Sequence, residues 1–483
     1  MDFTCIKAFR CTICGNEVPQ AEADETYVCP YDGGNYDVIY DYDKLREAIK
    51  KDGFGKEKDG MWRYLPLLPI QKGARLPPIV AGGTPLHHIP QNATEKLLGE
   101  SGSKIDFYLK DEGRNPTGSL KDRASSLVAA KALHDKKPLV ATASTGNAAA
   151  ALSGICASLG LPCIIFVPAA APPAKIAQLR SFGAYVFLVD GVYDDAFELC
   201  QECTKKFGWY CRSTGYNAYT SEGKKTVSFE ICEQLAGYVL RGTAPEHPLA
   251  MGMCAEAARC IDMGVVELGG GAFSAPNWIA VSIGDGNIIS GTWAGINDLY
   301  SLGLINRKPK LLGVQAEGSD YVYRALKTAK TPTEWDKLPA IDSATVADSI
   351  EANLPRDRVR ACRAIMDSGG ICLTVTDEEI LKEIPTTGRE TGVFVEPASA
   401  CTIAGIKKAL RQKLIPLSDS PMSMVAIMTG TGLKDIAAAQ RAVTASKDEA
   451  SSSAEGPKME RGTAIKIPIS VKAVEDAVKG LPF

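Results

Sequence analysis

From about residue 104 the chain repeats one pattern, a short run of β-branched and apolar residues followed by a helix-length amphipathic stretch. Lys104 to Lys110 reads as a strand, Lys121 to His134 as a helix, Pro138 to Ala143 as a strand and Ala148 to Leu159 as a helix. Strands at Pro162 to Val167 and Tyr185 to Val189 then alternate with helices at Pro173 to Phe182 and Tyr193 to Phe207. Parallel strands need a long crossover, usually a helix, so this alternation predicts a doubly wound α/β sheet. A second unit follows, with strands at Trp278 to Ile283, Leu311 to Gln315, Cys372 to Val375 and Met424 to Met428. Ligands of such sheets sit outside the carboxyl ends of the strands, so the loops there are where chemistry is expected.

At 483 residues the chain exceeds one ordinary core. A formal net charge of -3 and the absence of a basic run argue against nucleic acid or an anionic membrane as partner. The 15 cysteines are spread through strand-like and helix-like segments and read as reduced thiols. Met1 to Arg10 carries charges rather than an apolar signal core, and no run of about 18 apolar residues occurs, so a cytoplasmic location is expected. Residues 1–40 contain Cys11-Thr-Ile-Cys14 and Cys29-Pro-Tyr-Asp32, a zinc-ribbon pattern in which Asp32 or Cys5 would complete the ligand set. Four protein ligands leave no open position, so such a metal would be structural. Residues 241–276 read as an insertion and 446–462 as a flexible segment before a final strand and helix at Ala464 to Leu481.

A lysine-bearing turn and three strand-end loops carry the chemistry. Lys121 lies in Asn115-Pro-Thr-Gly-Ser-Leu-Lys121-Asp-Arg123 and opens a helix. Ser144-Thr145-Gly146-Asn147 joins a strand to an alanine-rich helix, where backbone donors and the Asn147 amide face a ligand. Gly284-Asp285-Gly286-Asn287-Ile288 follows a buried strand and opens another helix, which suits a phosphate. Thr429-Gly430-Thr431-Gly432 follows the last strand of the second unit, and a threonine hydroxyl there can give a pyridine nitrogen one hydrogen bond without protonating it. Each loop alone reads equally as a helix cap or a turn. Together they form a site for an aldehyde cofactor, because lysine both forms a Schiff base and serves as a base once released from it.

With Gly60-Met-Trp62-Arg-Tyr64, Gly83-Thr84-Pro85-Leu86, Glu222-Gly223-Lys224-Lys225-Thr226 and Glu396-Pro397-Ala398-Ser399-Ala400, the chain resembles the threonine synthase family over nearly its whole length. The resemblance implies a fold type II pyridoxal 5'-phosphate enzyme (tryptophan synthase β-like). Residues 41–483 would be its catalytic region of two interleaved α/β domains, the smaller at about 130–210. It implies that Lys121 carries the cofactor, Asn147 bonds its 3-hydroxyl, Gly284, Asp285, Gly286, Asn287 and Ile288 hold its phosphate, and Thr429 faces its ring nitrogen. Ser144, Thr145 and Asn147 would hold the substrate carboxylate, and a homodimer is expected by analogy. The implied reaction is loss of phosphate from O-phosphohomoserine to give threonine. The family usually has Ser-x-Asn-Pro-x-Arg before Glu-Gly-x-Lys-Thr, its arginine gripping the departing phosphate. Here the serine is Gly215 and the arginine is Thr220, and Ala148 replaces the threonine that usually ends the asparagine loop. These departures keep three other readings open: a cysteate synthase-like replacement on O-phosphoserine with sulfite, a serine/threonine dehydratase-like lyase, and a non-catalytic binding protein.

Overall fold

The computed structural model describes residues 5–71, 73–144, 146–171, 173–240 and 273–448, together with Ile469, Val471, Lys472 and Val474. Thr145, most of the expected insertion and the segment after 448 therefore lie outside the described residues, apart from those four. Near the start, β1 (Ile6–Cys11), β2 (Glu17–Val18) and β3 (Tyr36–Tyr40) form a small antiparallel sheet in the order β2-β1-β3.

Two larger sheets make the body. One has six strands, numbered β4 (Leu86–His88), β5 (Ile105–Asp111), β10 (Trp278–Ser282), β11 (Lys310–Ala316), β12 (Ile371–Val375) and β13 (Met422–Met428). Their order is β12-β11-β10-β13-β5-β4, parallel throughout except where β4 joins β5. The other has β6 (Val140–Ala143), β7 (Cys163–Pro168), β8 (Tyr185–Val189) and β9 (Tyr210–Cys211), parallel in the order β8-β7-β6-β9. Strand β13 is buried at all seven positions, MSMVAIM, as a central parallel strand with both faces covered should be.

One expectation changes. The run beginning at residue 104 reads as a single sheet, yet β5 leaves it and pairs with β13 along Ile105 to Asp111. The cause is long-range: Lys110, buried in β5, donates to Glu230 Oε2 (2.7 Å), Gln234 Oε1 (2.8 Å) and the Thr84 carbonyl (2.7 Å), none of which belongs to the smaller sheet. The two-residue strand β9 was too short to be seen as a period in the sequence. No helix among the described residues is long and apolar enough to cross a membrane.

Candidate functional site

Five chain segments converge at strand carboxyl ends. After β5 the chain turns through a short helix, Glu112–Arg114, and then Asn115 to Leu120, where Gly118 has φ +85°. Buried Asp122 closes that turn by accepting from Thr117 N (2.7 Å) and Thr117 Oγ1 (2.5 Å). Lys121 is then the first residue of the helix Lys121–His134. Leu120 N donates to the Thr429 carbonyl (2.9 Å) and Ser119 bridges Gly430, so the end of β13 lies directly beside Lys121.

Burial holds the Asp122 carboxyl above the usual range, at about 6. The folded state therefore binds a proton that the unfolded chain has released, and the stability Asp122 contributes is present at low pH and lost as pH rises from about 4 to about 6. Urea titrations across that window should show wild-type stability falling relative to Asp122→Asn. Parallel curves would remove this assignment.

The Lys121 amine has no hydrogen bond or ion pair among the described residues. Burial lowers its pKa, Glu396 opposes that, and the positive charge of Arg212 adds to it. An amine held below the ordinary lysine range gives up its proton more readily than a free lysine does.

Around it stand the other expected residues. Asn147 begins the helix Asn147–Leu159, and its Nδ2 donates to Glu396 Oε2 (2.7 Å). Thr429 Oγ1 donates to Glu396 Oε1 (2.7 Å) and shares a 3.2 Å contact with Ser399 Oγ. The sequence offered Glu396 only as part of a motif, yet this one carboxylate ties together the two side chains expected at the 3-hydroxyl and the nitrogen of a cofactor ring. Ser144, half-buried, accepts from Gly146 N (3.2 Å), and Thr145 beside it is outside the described residues.

The Gly284–Ile288 loop lies where β10 ends and the helix Asn287–Ser301 begins. Gly286 has φ +89°, and none of the N–H groups of residues 284–288 donates to a protein acceptor among the described residues. A row of free donors at the start of a 15-residue helix is an anion cradle. Gly284 is needed for space, since a Cβ there would lie 2.7 Å from Ile350 Cα. Asn287 Nδ2 and Ser290 Oγ donate to Asp357 Oδ2 (2.9 and 2.5 Å), which fixes the loop from behind. A cleft lined by Gly146, Asn147, Lys175, Asp348, Glu396 and Lys434 reaches the Asn147–Glu396 pair, and a Lys175–Asp348 ion pair lies in it.

The cysteine cluster is separate. Ligand atoms of Cys11, Cys14, Cys29 and Asp32 all lie within 4.8 Å of one another, which selects Asp32 over Cys5 as the fourth member. Cys14 Sγ and Cys29 Sγ are 3.8 Å apart, close to the ~3.8 Å expected for two thiolates each ~2.3 Å from a tetrahedral ion. Asn35, just beyond, donates to the Arg356 carbonyl (2.8 Å) and to Asp357 Oδ1 (3.0 Å), so this unit braces the residue that fixes the anion loop.

Residues 79–430 match the family model described as pyridoxal-phosphate dependent enzyme. The chain is 34% identical to a threonine synthase of Methanocaldococcus jannaschii, over 90% of this chain and 94% of that one. It is 33% identical to a threonine synthase of Methanosarcina acetivorans, over 88% and 92%. Among solved structures it resembles maize serine racemase (TM-score 0.54, 20% identity, 76% of this chain and 93% of the other). It also resembles a processed threonine deaminase from Solanum lycopersicum (TM-score 0.54, 18% identity, 74% and 86%).

Proposed function

The chain belongs to the pyridoxal-phosphate dependent enzyme family, in its threonine synthase branch, and on that premise we propose that it converts O-phosphohomoserine and water to threonine and inorganic phosphate. The observation that carries the reading is the unpaired Lys121 amine facing the Asn147–Glu396–Thr429 array, with the donor row of the 284–288 loop at the same end of the strands. This donor set fits pyridoxal phosphate: an amine for its aldehyde, free N–H groups and a helix terminus for its phosphate, and an amide and a hydroxyl for its ring.

When bound, the cofactor supplies an electron sink for negative charge left on the substrate α-carbon. Lys121 Nζ would hold the cofactor, and as a free amine it would take the substrate α-proton, a role its lowered pKa suits. Asn147 would bond the cofactor's 3-hydroxyl and Thr429 its ring nitrogen. Ser144, Thr145 and Asn147 hold the substrate carboxylate with hydroxyl, amide and backbone donors. Glu396 positions Asn147 and Thr429 against each other. The test is turnover by the purified holoenzyme: O-phosphohomoserine should yield threonine and phosphate in equal amounts. Ketoacid from serine or threonine with no phosphate-dependent product would instead make it a dehydratase.

Cys11, Cys14, Cys29 and Asp32 would hold a structural zinc ion. Elemental analysis of the purified chain should give about one zinc per chain, with Cys29→Ser reducing it below a tenth of that and loosening the cofactor through Asn35 and Asp357. A metal-free wild type that holds its cofactor as firmly would remove the assignment.

A further inference from the structure

We propose that Arg212 and Lys224 together grip the phosphate that leaves the substrate, in place of the arginine whose position Thr220 occupies. The proposal rests on the reading above that the substrate is an O-phospho amino acid.

Thr220 itself contributes no anion donor to the site. It is fully buried, and its hydroxyl proton goes to the Asn217 carbonyl (2.7 Å). Gly215 brings no side chain and has no room for one: its φ is +67°, and a Cβ there would lie 2.4 Å from Arg356 Cβ. The usual arginine contact is thus absent, and Gly215 offers no side chain in its place.

Positive charge returns close by. Lys224 lies one helical turn beyond Thr220 in the helix Tyr219–Lys224, so the two share a face. Its Nζ is buried and donates to Asn287 Oδ1 (2.5 Å), and among the described residues no carboxylate pairs with it. The next residue shows the contrast: Lys225 is equally buried but pairs with Glu222 (2.5 Å) and Asp298 (2.8 Å).

Arg212 follows β9, whose neighbour β6 leads into the Ser144 loop. It is 1% exposed. Its Nε donates to Ser125 Oγ (3.3 Å), one turn along from Lys121 on the same helix face, and its Nη1 donates to Thr214 Oγ1 (2.8 Å). Its Nη2 has no hydrogen-bond partner, and no carboxylate pairs with this guanidinium among the described residues. Arg123, buried to the same degree, has two carboxylates. A buried guanidinium with a free donor beside a reactive amine is costly unless an anion completes it.

The fields agree with that placement. After burial, the charges of Lys121 and Arg212 are what push the Lys224 pKa down, while Asp285 and Asp357 oppose them. Asp357 is committed to Asn287 and Ser290, and Glu396 to Asn147 and Thr429. Asp285 accepts from Arg356 N (3.3 Å) and is the carboxylate facing Lys121, Arg212 and Lys224 together. Arg212 Nη2 and Lys224 Nζ are thus left without a carboxylate partner among the described residues, which suits an incoming dianion such as a phosphate monoester, whose charge would in turn favour the protonated lysine.

Two phosphates could use these cations, the cofactor's and the substrate's, and the experiment separates them. Holo wild type, Arg212→Leu, Lys224→Gln and Lys224→Arg are compared for cofactor absorbance, for the spectral change on binding unphosphorylated homoserine, for inhibition by inorganic phosphate, and for kcat/KM on O-phosphohomoserine. The expected result is retained cofactor and homoserine binding in all four. Phosphate affinity and kcat/KM should fall on the order of a hundredfold in Arg212→Leu and Lys224→Gln, with most of the loss recovered in Lys224→Arg. Unchanged phosphate affinity would overturn the proposal. So would loss of cofactor with unchanged phosphate affinity in the remaining holo fraction, which would assign both cations to the cofactor. Phosphate binding that depends on Arg212 and Lys224 in an enzyme that turns over no phospho amino acid would keep the grip and sink the substrate reading.

Discussion

Replacing Lys121 by alanine is expected to lower kcat by about 10⁴-fold or more while leaving the fold as stable as before. The two halves of that result have one cause. The Lys121 amine makes no hydrogen bond or ion pair among the described residues, so nothing in the fold depends on it. Burial and the Arg212 charge disfavour its protonated form, so removing it relieves a cost. Stability measured by urea unfolding of the cofactor-free protein should move by no more than about 0.5 kcal/mol. Activity with the cofactor supplied should vanish, together with the cofactor's visible absorbance. A large loss of stability would mean that Lys121 is a structural lysine, and activity within tenfold of wild type would mean that the chemistry lies elsewhere.

Arg123, two residues on, should behave in the opposite way. Its guanidinium meets Glu112 through Nε and Nη2 (2.7 and 2.7 Å) and Glu230 through Nη1 and Nη2 (2.7 and 2.8 Å), with every partner buried. Lys110 also reaches Glu230 (2.7 Å), and Thr84 reaches Glu112 (2.6 Å). Glu112 in turn accepts from Asn115 Nδ2 (2.8 Å), which begins the turn into Lys121. Arg123→Met would leave Glu112 without a cationic partner in the interior, a change costing about 3–5 kcal/mol. The double variant Arg123→Met, Glu112→Gln should recover part of that loss, because it removes the uncompensated charge. Urea unfolding measures both. A single-variant loss under about 1 kcal/mol would mean that water reaches the network.

These two neighbours also show what a sequence can and cannot disclose. The position of Lys121 was legible because its signals are local: a glycine turn, a helix start and strand-end loops in a fixed order. Arg123 looks the same in the sequence, and only the convergence of Glu112 and Glu230 from distant segments distinguishes a core network from a site. For the same reason β5 was placed in the wrong sheet, since the partners that hold Lys110 come from residues 84, 230 and 234. Glu396 was visible as a motif member, but its hold on Asn147 and Thr429 depends on two loops some 250 and 30 residues away meeting at one carboxylate. Arg212 gave no signal at all. An arginine after a two-residue strand is ordinarily a surface residue, and its unpaired burial is a property of the folded chain. Gly215 was read as standing where the family has serine, and the structure adds that its conformation and the proximity of Arg356 demand glycine.

If Lys121 carries the cofactor, borohydride reduction of the holoenzyme followed by peptide mapping should find one pyridoxyl group per chain, on the peptide containing Lys121. A label on Lys224, Lys434 or any other lysine, or no label in protein that shows the cofactor's absorbance, would contradict it.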